Sequence, residues 1–351
     1  MSDLRRRHRA GVARPGVEPL LTRALITTVR EVDLVAVRGP KRRRLAASVH
    51  RDGAADAHGR RLNVADVAGI ILAGGRSSRM GTPKAALEWH GSTLLRRVVG
   101  LVARAVDGPV IVVRAPGQEL PELPGEVEQV EDAREGRGPL QGLAAGLGAV
   151  DDRAVAAYVS STDVPLLHPR FIRRLLAAFD DDVDVVLPHA GGFRHPLAAV
   201  YRVALVDAVE HLIAEDRMRP AFLFEACRVR QLDDGALLAD AALAALDPDL
   251  DSVLNLNAPT DYEAARARPG PAVTVRRFGA LSRIAPGGAG PAVVEAATLG
   301  EAAAGAGITL GEHVVAALNG DQITRDQRHL GVARDLVAGD TVAFLAADAG
   351  G

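Results

Sequence analysis

The apolar run Ile70-Ile71-Leu72 opens directly into Ala73-Gly74-Gly75, and nine residues later the chain reaches Lys84 by way of Arg79, Met80 and Gly81. A short apolar run bounded by glycines predicts a central parallel strand covered on both faces. Glycines at its carboxyl end carry no Cβ, so backbone N–H groups can close on phosphate oxygens, with Arg79 and Lys84 supplying positive charge. An ordinary glycine-rich βα turn is the plainer reading of an isolated Gly-Gly. The downstream Arg-Met-Gly-x-x-Lys favours an anion cradle instead. Two commoner glycine loops are excluded by spacing: no Gly-Lys-Ser/Thr follows Gly75, and the third glycine of a dinucleotide fingerprint is missing.

Beyond that loop, strands expected at Val110–Val113, Val155–Val159 and Val183–Leu187 alternate with helices expected at Leu94–Val106 and Pro169–Phe179. The alternation predicts a doubly wound, Rossmann-like α/β domain over residues 66–267, its site at the carboxyl ends of the strands. Arg268-Pro-Gly-Pro271 reads as a linker. Residues 272–351 run strand, helix and further strands (Val273–Phe278, Leu299–Ala304, Val314–Asn319, Asp340–Leu345), which suggests a small ubiquitin-like β-grasp domain. The first 65 residues stand apart. Residues 1–61 hold 15 Lys/Arg against 6 Asp/Glu, so the net charge of −2 hides a basic head and an acidic remainder. With one plausible strand, Leu34–Val37, and little periodicity, the head reads as a disordered extension; a start of translation near Val67 is the other reading.

Composition narrows the partners. Aromatic residues are 3% of the chain, too few for base-stacking platforms, so nucleic acid is not expected. The lone Cys227 forms no internal disulfide and reads as a small buried apolar residue. No stretch approaches the roughly eighteen apolar residues of a membrane span, and residue 1 onward lacks a secretory apolar core. A cytoplasmic protein is expected.

With the loop in view, the chain resembles the molybdenum cofactor guanylyltransferases (MobA-like), whose nucleotide loop reads Leu-Ala-Gly-Gly-x-x-x-Arg-Met-Gly followed closely by Lys. Sugar-nucleotide pyrophosphorylases usually read Leu-Ala-Ala-Gly-x-Gly-Thr-Arg, and the molybdopterin cytidylyltransferases tend to carry alanine at the position of Gly74. The resemblance therefore implies GTP as donor, molybdopterin as acceptor and magnesium as cofactor. Its alternative is a cytidylyl or sugar-phosphate transferase with a C-terminal docking domain. Leu72, Ala73, Gly74 and Gly75 match the nucleotide loop.

Nucleotidyl transfer needs a held triphosphate, a divalent metal and an anchored acceptor. Asp163, in Ser160-Ser-Thr-Asp-Val-Pro165 just past an expected strand, faces the same crevice as the glycines, and a single carboxylate can suffice for magnesium. From the residues alone it is a metal ligand or a helix-capping turn residue; in the family the matching Asp is the metal ligand. Lys84 is expected to stabilise the transferring phosphates. Asp132 and Gly138, in Glu131-Asp132 and Gly138-Pro-Leu-Gln-Gly142, resemble a family nucleotide segment, with Asp132 left between guanine, ribose and metal. Arg114 stands near the point where the family often has Asn, so that contact is not carried over. On the acceptor side, Asn255 and Asn257 alternate at strand spacing and resemble the family's Asn-x-Asn-Thr-Pro cofactor motif; a turn-capping role is the alternative. His195, after Gly191-Gly192, is either a pterin-side residue or a histidine satisfied by ordinary hydrogen bonds.

The sequence finishes Phe344-Leu-Ala-Ala-Asp-Ala-Gly-Gly351. Six residues from Ala346 extend about 20 Å, and glycines pass channels that side chains block. A frayed glycine-rich end is the plain reading. Together with the preceding expected strand, the segment resembles the small subunit of molybdopterin synthase (MoaD-like). That likeness implies adenylation and thiocarboxylation at the Gly351 carboxylate by an E1-like adenylyltransferase and sulfurtransferase, followed by docking to the large subunit of molybdopterin synthase.

Overall fold

The computed structural model describes residues 67–74, 83–133, 136–284, 290–311, 313–323, 325–326, 329–330 and 333–346. The basic head with Leu34–Val37, the loop residues Gly75 and Arg79, and the terminus carrying Gly351 lie outside the described residues. Among those described, residues 67–271 and 333–338 form one compact unit, and residues 272–330 and 339–346 form a second.

The first unit is built on a mixed sheet. Its strands are β1 (Val67–Leu72), β4 (Val110–Arg114), β5 (Glu128–Glu131), β6 (Ala156–Ser161), β7 (Val185–Ala190), β8 (Phe193–Arg194), β9 (Ala198–Arg202) and β10 (Val229–Asp233). A small separate hairpin pairs β2 (Glu88–Trp89) with β3 (Ser92–Thr93). The order across the sheet is β10-β7-β9-β6-β1-β4-β5, with β8 beside β7. β1 runs parallel to both β4 and β6.

Period-two alternation explains why β1 lies at the centre. Val67 and Ile71 join one apolar cluster, Ala68 and Ile70 the other, so both faces are dry. On the first face lie α1 (Leu94–Ala103), through Val98 and Val102, and α3 (Pro169–Leu176), through Phe171, Ile172 and Leu175. The second face carries α2 (Pro139–Val150), through Leu143 and Leu147, and α4 (Val206–Ala214), through Val209 and Leu212. Gly146 lets α2 reach the sheet: a Cβ there would lie 2.6 Å from Ile70 Cγ2. The helices α5 (Pro220–Ala226), α6 (Asp234–Leu238), α7 (Ala241–Leu246) and α8 (Pro259–Arg266) complete the unit.

β9 runs antiparallel to β6 and β7, because the Gly191-Gly192 turn (φ +59° and +83°) returns the chain through β8 beside β7. One sequence expectation changes here. Asn255 and Asn257 lie in an irregular segment rather than a strand, because among the described residues Leu256 pairs through one backbone bond, N–H to the Asp163 carbonyl at 2.9 Å, and the chain then enters α8.

The second unit contains β11 (Ala272–Gly279), α9 (Leu281–Ile284), β12 (Ala292–Glu295), α10 (Leu299–Gly305), β13 (Val314–Leu318), β14 (Asp321–Ile323), the short pair β15 (Arg325–Asp326) and β16 (His329–Leu330), and β17 (Thr341–Ala346). Its five-stranded order is β12-β11-β17-β13-β14, with β11 and β17 parallel and the other neighbours antiparallel. Val273, Val275, Val342 and Phe344 are buried in the strands, and Leu299, Ala302 and Ala303 in α10. No helix among the described residues is long and apolar enough to cross a membrane.

Candidate nucleotide site

Parallel register brings the candidate residues to one edge. Leu72 of β1 pairs with Ser161 of β6, so Gly74 and Asp163, each two residues further on, emerge side by side from adjacent strands. Gly74 does not occupy the left-handed region; a Cβ there would sit 3.4 Å from the Ala115 nitrogen, so what the position lacks is room. Hydrogen bonds from Ala73 N (2.8 Å) and Gly74 N (3.3 Å) to the Val113 carbonyl hold the exit of β1 against β4.

Lys84 reaches the same edge from a single 3-10 turn, Lys84–Ala86. Its ammonium donates to Asp163 Oδ2 at 2.7 Å and to Asn257 Oδ1 at 3.4 Å. Packing fixes this approach: Trp89 and Leu94 bury against Leu256 and Ala265, with Leu87, Leu166 and Tyr262 around them, and the Tyr262 hydroxyl donates to the Glu88 carbonyl. Asp163 is only 14% exposed. Its second oxygen, Oδ1, is buried and finds no donor among the described residues. A carboxylate with one oxygen held by an ammonium and the other dry and unsatisfied is suited to a second cation.

Asn255 stands beside Ser161, Oγ to Oδ1 at 3.5 Å, so both asparagines flank Asp163. The cap of α8 is made instead by Asp261, whose Oδ2 accepts from the N–H groups of Asn257 and Ala258 at 3.0 and 2.8 Å.

Asp132 follows β5, its N–H bonded to the Arg114 carbonyl at 2.8 Å. Three inter-strand steps separate β5 from β6, about 14 Å, which puts Asp132 at the other end of the crevice from Asp163. Gly138 caps α2 at φ +100°, a conformation that favours glycine. His195 sits at the same sheet edge with its Nε2 3.0 Å from the Ala190 carbonyl, an ordinary hairpin contact. Cys227 is half-buried, and burial, then the nearby charge of Asp184, pushes its thiol up to about 11.

Two contributors escaped the sequence reading. Gln118 clasps the loop: its Oε1 accepts from Ala115 N at 2.9 Å and its Nε2 donates to the Ala73 carbonyl at 3.1 Å. Arg114 braces that turn, donating to the Gln118 carbonyl at 2.7 Å and pairing with Glu131 at 2.9 Å. No motif announces Gln118. The second is Arg97, buried in α1, whose signal was legible: a cation three residues after Leu94 and four before Leu101, on the apolar stripe.

A family model described as a MobA-like NTP transferase domain matches residues 69–232. A probable molybdenum cofactor guanylyltransferase of Mycobacterium avium is 38% identical over 170 residues, covering 47% of this chain and 84% of the relative. A Mycobacterium tuberculosis protein of the same description is 40% identical over 164 residues, 46% of this chain and 80% of that one. A crystal structure of molybdopterin-guanine dinucleotide biosynthesis protein A from Archaeoglobus fulgidus aligns with 57% of this chain and 96% of its own, at 21% identity and a TM-score of 0.45.

Proposed function

Because this chain belongs to the family of the molybdenum cofactor guanylyltransferases, we propose that it transfers GMP from GTP to molybdopterin and releases pyrophosphate. The observation that carries this reading is the Lys84–Asp163 contact at 2.7 Å, at the carboxyl ends of two adjacent parallel strands. A terminal phosphate oxygen of molybdopterin attacks the α-phosphorus of GTP, and the bond to the bridging oxygen breaks, its electron pair leaving with pyrophosphate. The nucleophile is an already ionised phosphate, so no general base is required. Catalysis rests on positioning and charge compensation.

Each residue has a place in that scheme. Leu72, Ala73, Gly74 and Gly75 supply the backbone of the nucleotide loop, and Arg79 and Lys84 carry positive charge to the phosphates. Asp132 takes the base and ribose end, consistent with the three strand steps between β5 and β6, and Gly138 lets the backbone approach the same end closely. Asn255 and Asn257 present amides to the pterin. The buried, undonated Oδ1 of Asp163 fits magnesium, which binds through few carboxylates plus phosphate oxygens and waters. When bound, the ion offsets charge developing on the leaving pyrophosphate.

The test is pyrophosphate release from the full chain with magnesium, molybdopterin and each of the four triphosphates in turn. GTP should exceed the others, and Asp163→Asn should slow release by about two to three orders of magnitude. Equal rates with all four triphosphates, or an unaffected Asp163→Asn, would overturn the assignment.

For the second unit we propose a β-grasp sulfur carrier. Support comes from the strand order, in which the first and last strands of the sheet run parallel at its centre and α10 crosses between β12 and β13. Its partners would be an E1-like adenylyltransferase and sulfurtransferase and the large subunit of molybdopterin synthase. Incubation with an activating enzyme, ATP and a sulfur donor should add a sulfur-for-oxygen mass gain at the Gly351 carboxylate; an unchanged mass would reject the carrier role.

A further inference from the structure

α1 turns one face toward a segment that lies beyond the matched family domain. Arg97, Gly100 and Arg104 share that face at helical spacing. Against them lie residues 335–338, which belong to the same compact unit. Arg97 is 4% exposed. Its Nη1 donates to Asp335 Oδ1 at 3.0 Å and its Nη2 to the Leu336 carbonyl at 3.5 Å. Arg104 Nη1 reaches the Asp335 carbonyl at 3.5 Å. At Gly100 a Cβ would stand 3.4 Å from Asp335 Oδ2, so the helix leaves room for the carboxylate. Leu336 and Val337 are buried, and Val337 joins the cluster that contains Ile71 of β1. This is a packed component of the unit.

The same segment is tied to the loop that carries Asp163 by two routes, one through Arg97 and one direct. The Nε of Arg97 donates to the carbonyl of Pro165, two residues past Asp163. At the far end of the loop, His168 Nδ1 accepts from Arg170 N at 3.0 Å, capping α3, which leaves the proton on Nε2 to be donated to the Ala338 carbonyl at 3.1 Å. Arg97 is therefore a bridge: one edge of its guanidinium holds the loop, the other holds the strap. A rigid fork of this kind transmits position because its donors are coplanar and fixed relative to one another.

We infer that residues 335–338 are part of the nucleotidyl-transfer site of this chain, with Arg97 and His168 as positioning residues that hold the Asp163 loop on that strap. Completion of the site thus depends on residues well past residue 232, where the matched domain ends. The inference rests on the reading of Asp163 as the metal-binding carboxylate.

The test uses the full chain carrying Asp335→Ala, Asp335→Asn or, as the reference for that reading, Asp163→Asn. Amide hydrogen exchange of residues 162–168 is followed without nucleotide, and magnesium binding is followed by calorimetry in the presence of a non-hydrolysable GTP analogue. Asp335→Ala should speed exchange in 162–168 and weaken magnesium binding by about tenfold, the order of one lost charge-assisted hydrogen bond. Affinity for the analogue without metal should stay within about twofold, and Asp335→Asn, which keeps an acceptor oxygen, should fall between. If Asp335→Ala does not fold, Asp335→Asn carries the same comparison against the unaltered chain. Lowered global stability with unchanged exchange and magnesium affinity would make the strap a stability clip only and overturn the inference. Unchanged magnesium affinity in Asp163→Asn would instead sink the reading of Asp163, a separate failure.

Discussion

Replacing Lys84 with alanine removes the ammonium that sits 2.7 Å from Asp163 Oδ2, in a pair whose side chains are 20% and 14% exposed. At an effective dielectric of about 20, two unit charges at that distance attract by about 6 kcal/mol. Desolvation and residual solvent access reduce this to a net coupling of about 1–3 kcal/mol. In the proposed reaction the same ammonium serves as a preorganised cation for the phosphates, and loss of one such group costs about 2.7–4 kcal/mol, or two to three orders of magnitude in kcat. Lys84→Ala should therefore still unfold in one cooperative urea transition, its midpoint lowered by an amount matching that coupling, yet be about two to three orders of magnitude slower in steady-state pyrophosphate release. The decisive measurement is the double variant. If Lys84 and Asp163 serve one triphosphate, Lys84→Ala combined with Asp163→Asn should be about as slow as the slower single variant, because residues acting as a unit are non-additive. Multiplied losses of about five orders of magnitude in the double variant would show two independent sites and refute the shared one.

Gln118→Ala frees the Ala73 carbonyl and the Ala115 N–H from their shared clasp; it should raise the KM for GTP by about tenfold with kcat little changed, and an unaltered KM would remove Gln118 from the loop's support. Gly146→Ala drives a methyl within 2.6 Å of Ile70 and should lower stability by about 1–3 kcal/mol in urea titrations; an unchanged midpoint would mean that α2 shifts freely. Hydrogen bonds from Arg228, at 2.7 and 3.0 Å, hold the Asp184 carboxyl down to about 2. A depressed carboxyl stabilises the fold above its unfolded value, near 3.8, and that stability is lost as pH falls toward 2. Asp184→Asn should therefore flatten the fall in urea midpoint between about pH 5 and pH 2; an identical slope would reject the linkage.

The strand-to-glycine transition at Leu72–Gly74 and the placement of Asp163 after an apolar strand were readable in the sequence because both depend on local pattern. A two-faced apolar strand has few places to go other than the middle of a parallel sheet, and its carboxyl end must open on the ligand edge. Asn255 and Asn257 contact Ser161 and Lys84, but in an irregular segment rather than the strand their spacing suggested. Their spacing also suits an irregular segment tied by one backbone bond, and spacing alone does not distinguish the two.

What the tertiary structure decided are the contacts that join residues far apart in the chain. The reversed direction of β9 depends on how the Gly191-Gly192 turn seats β8, and the clasp of Gln118 on Ala73 spans 45 residues. The bond from Arg97 to Asp335 spans 238. Periodicity reports which face of an element is buried, so it could mark Arg97 as a buried cation, but the identity of its partner is set by packing geometry. Local pattern thus marked the strand and the turn at its carboxyl end; only the folded chain selected which distant groups hold that edge in place.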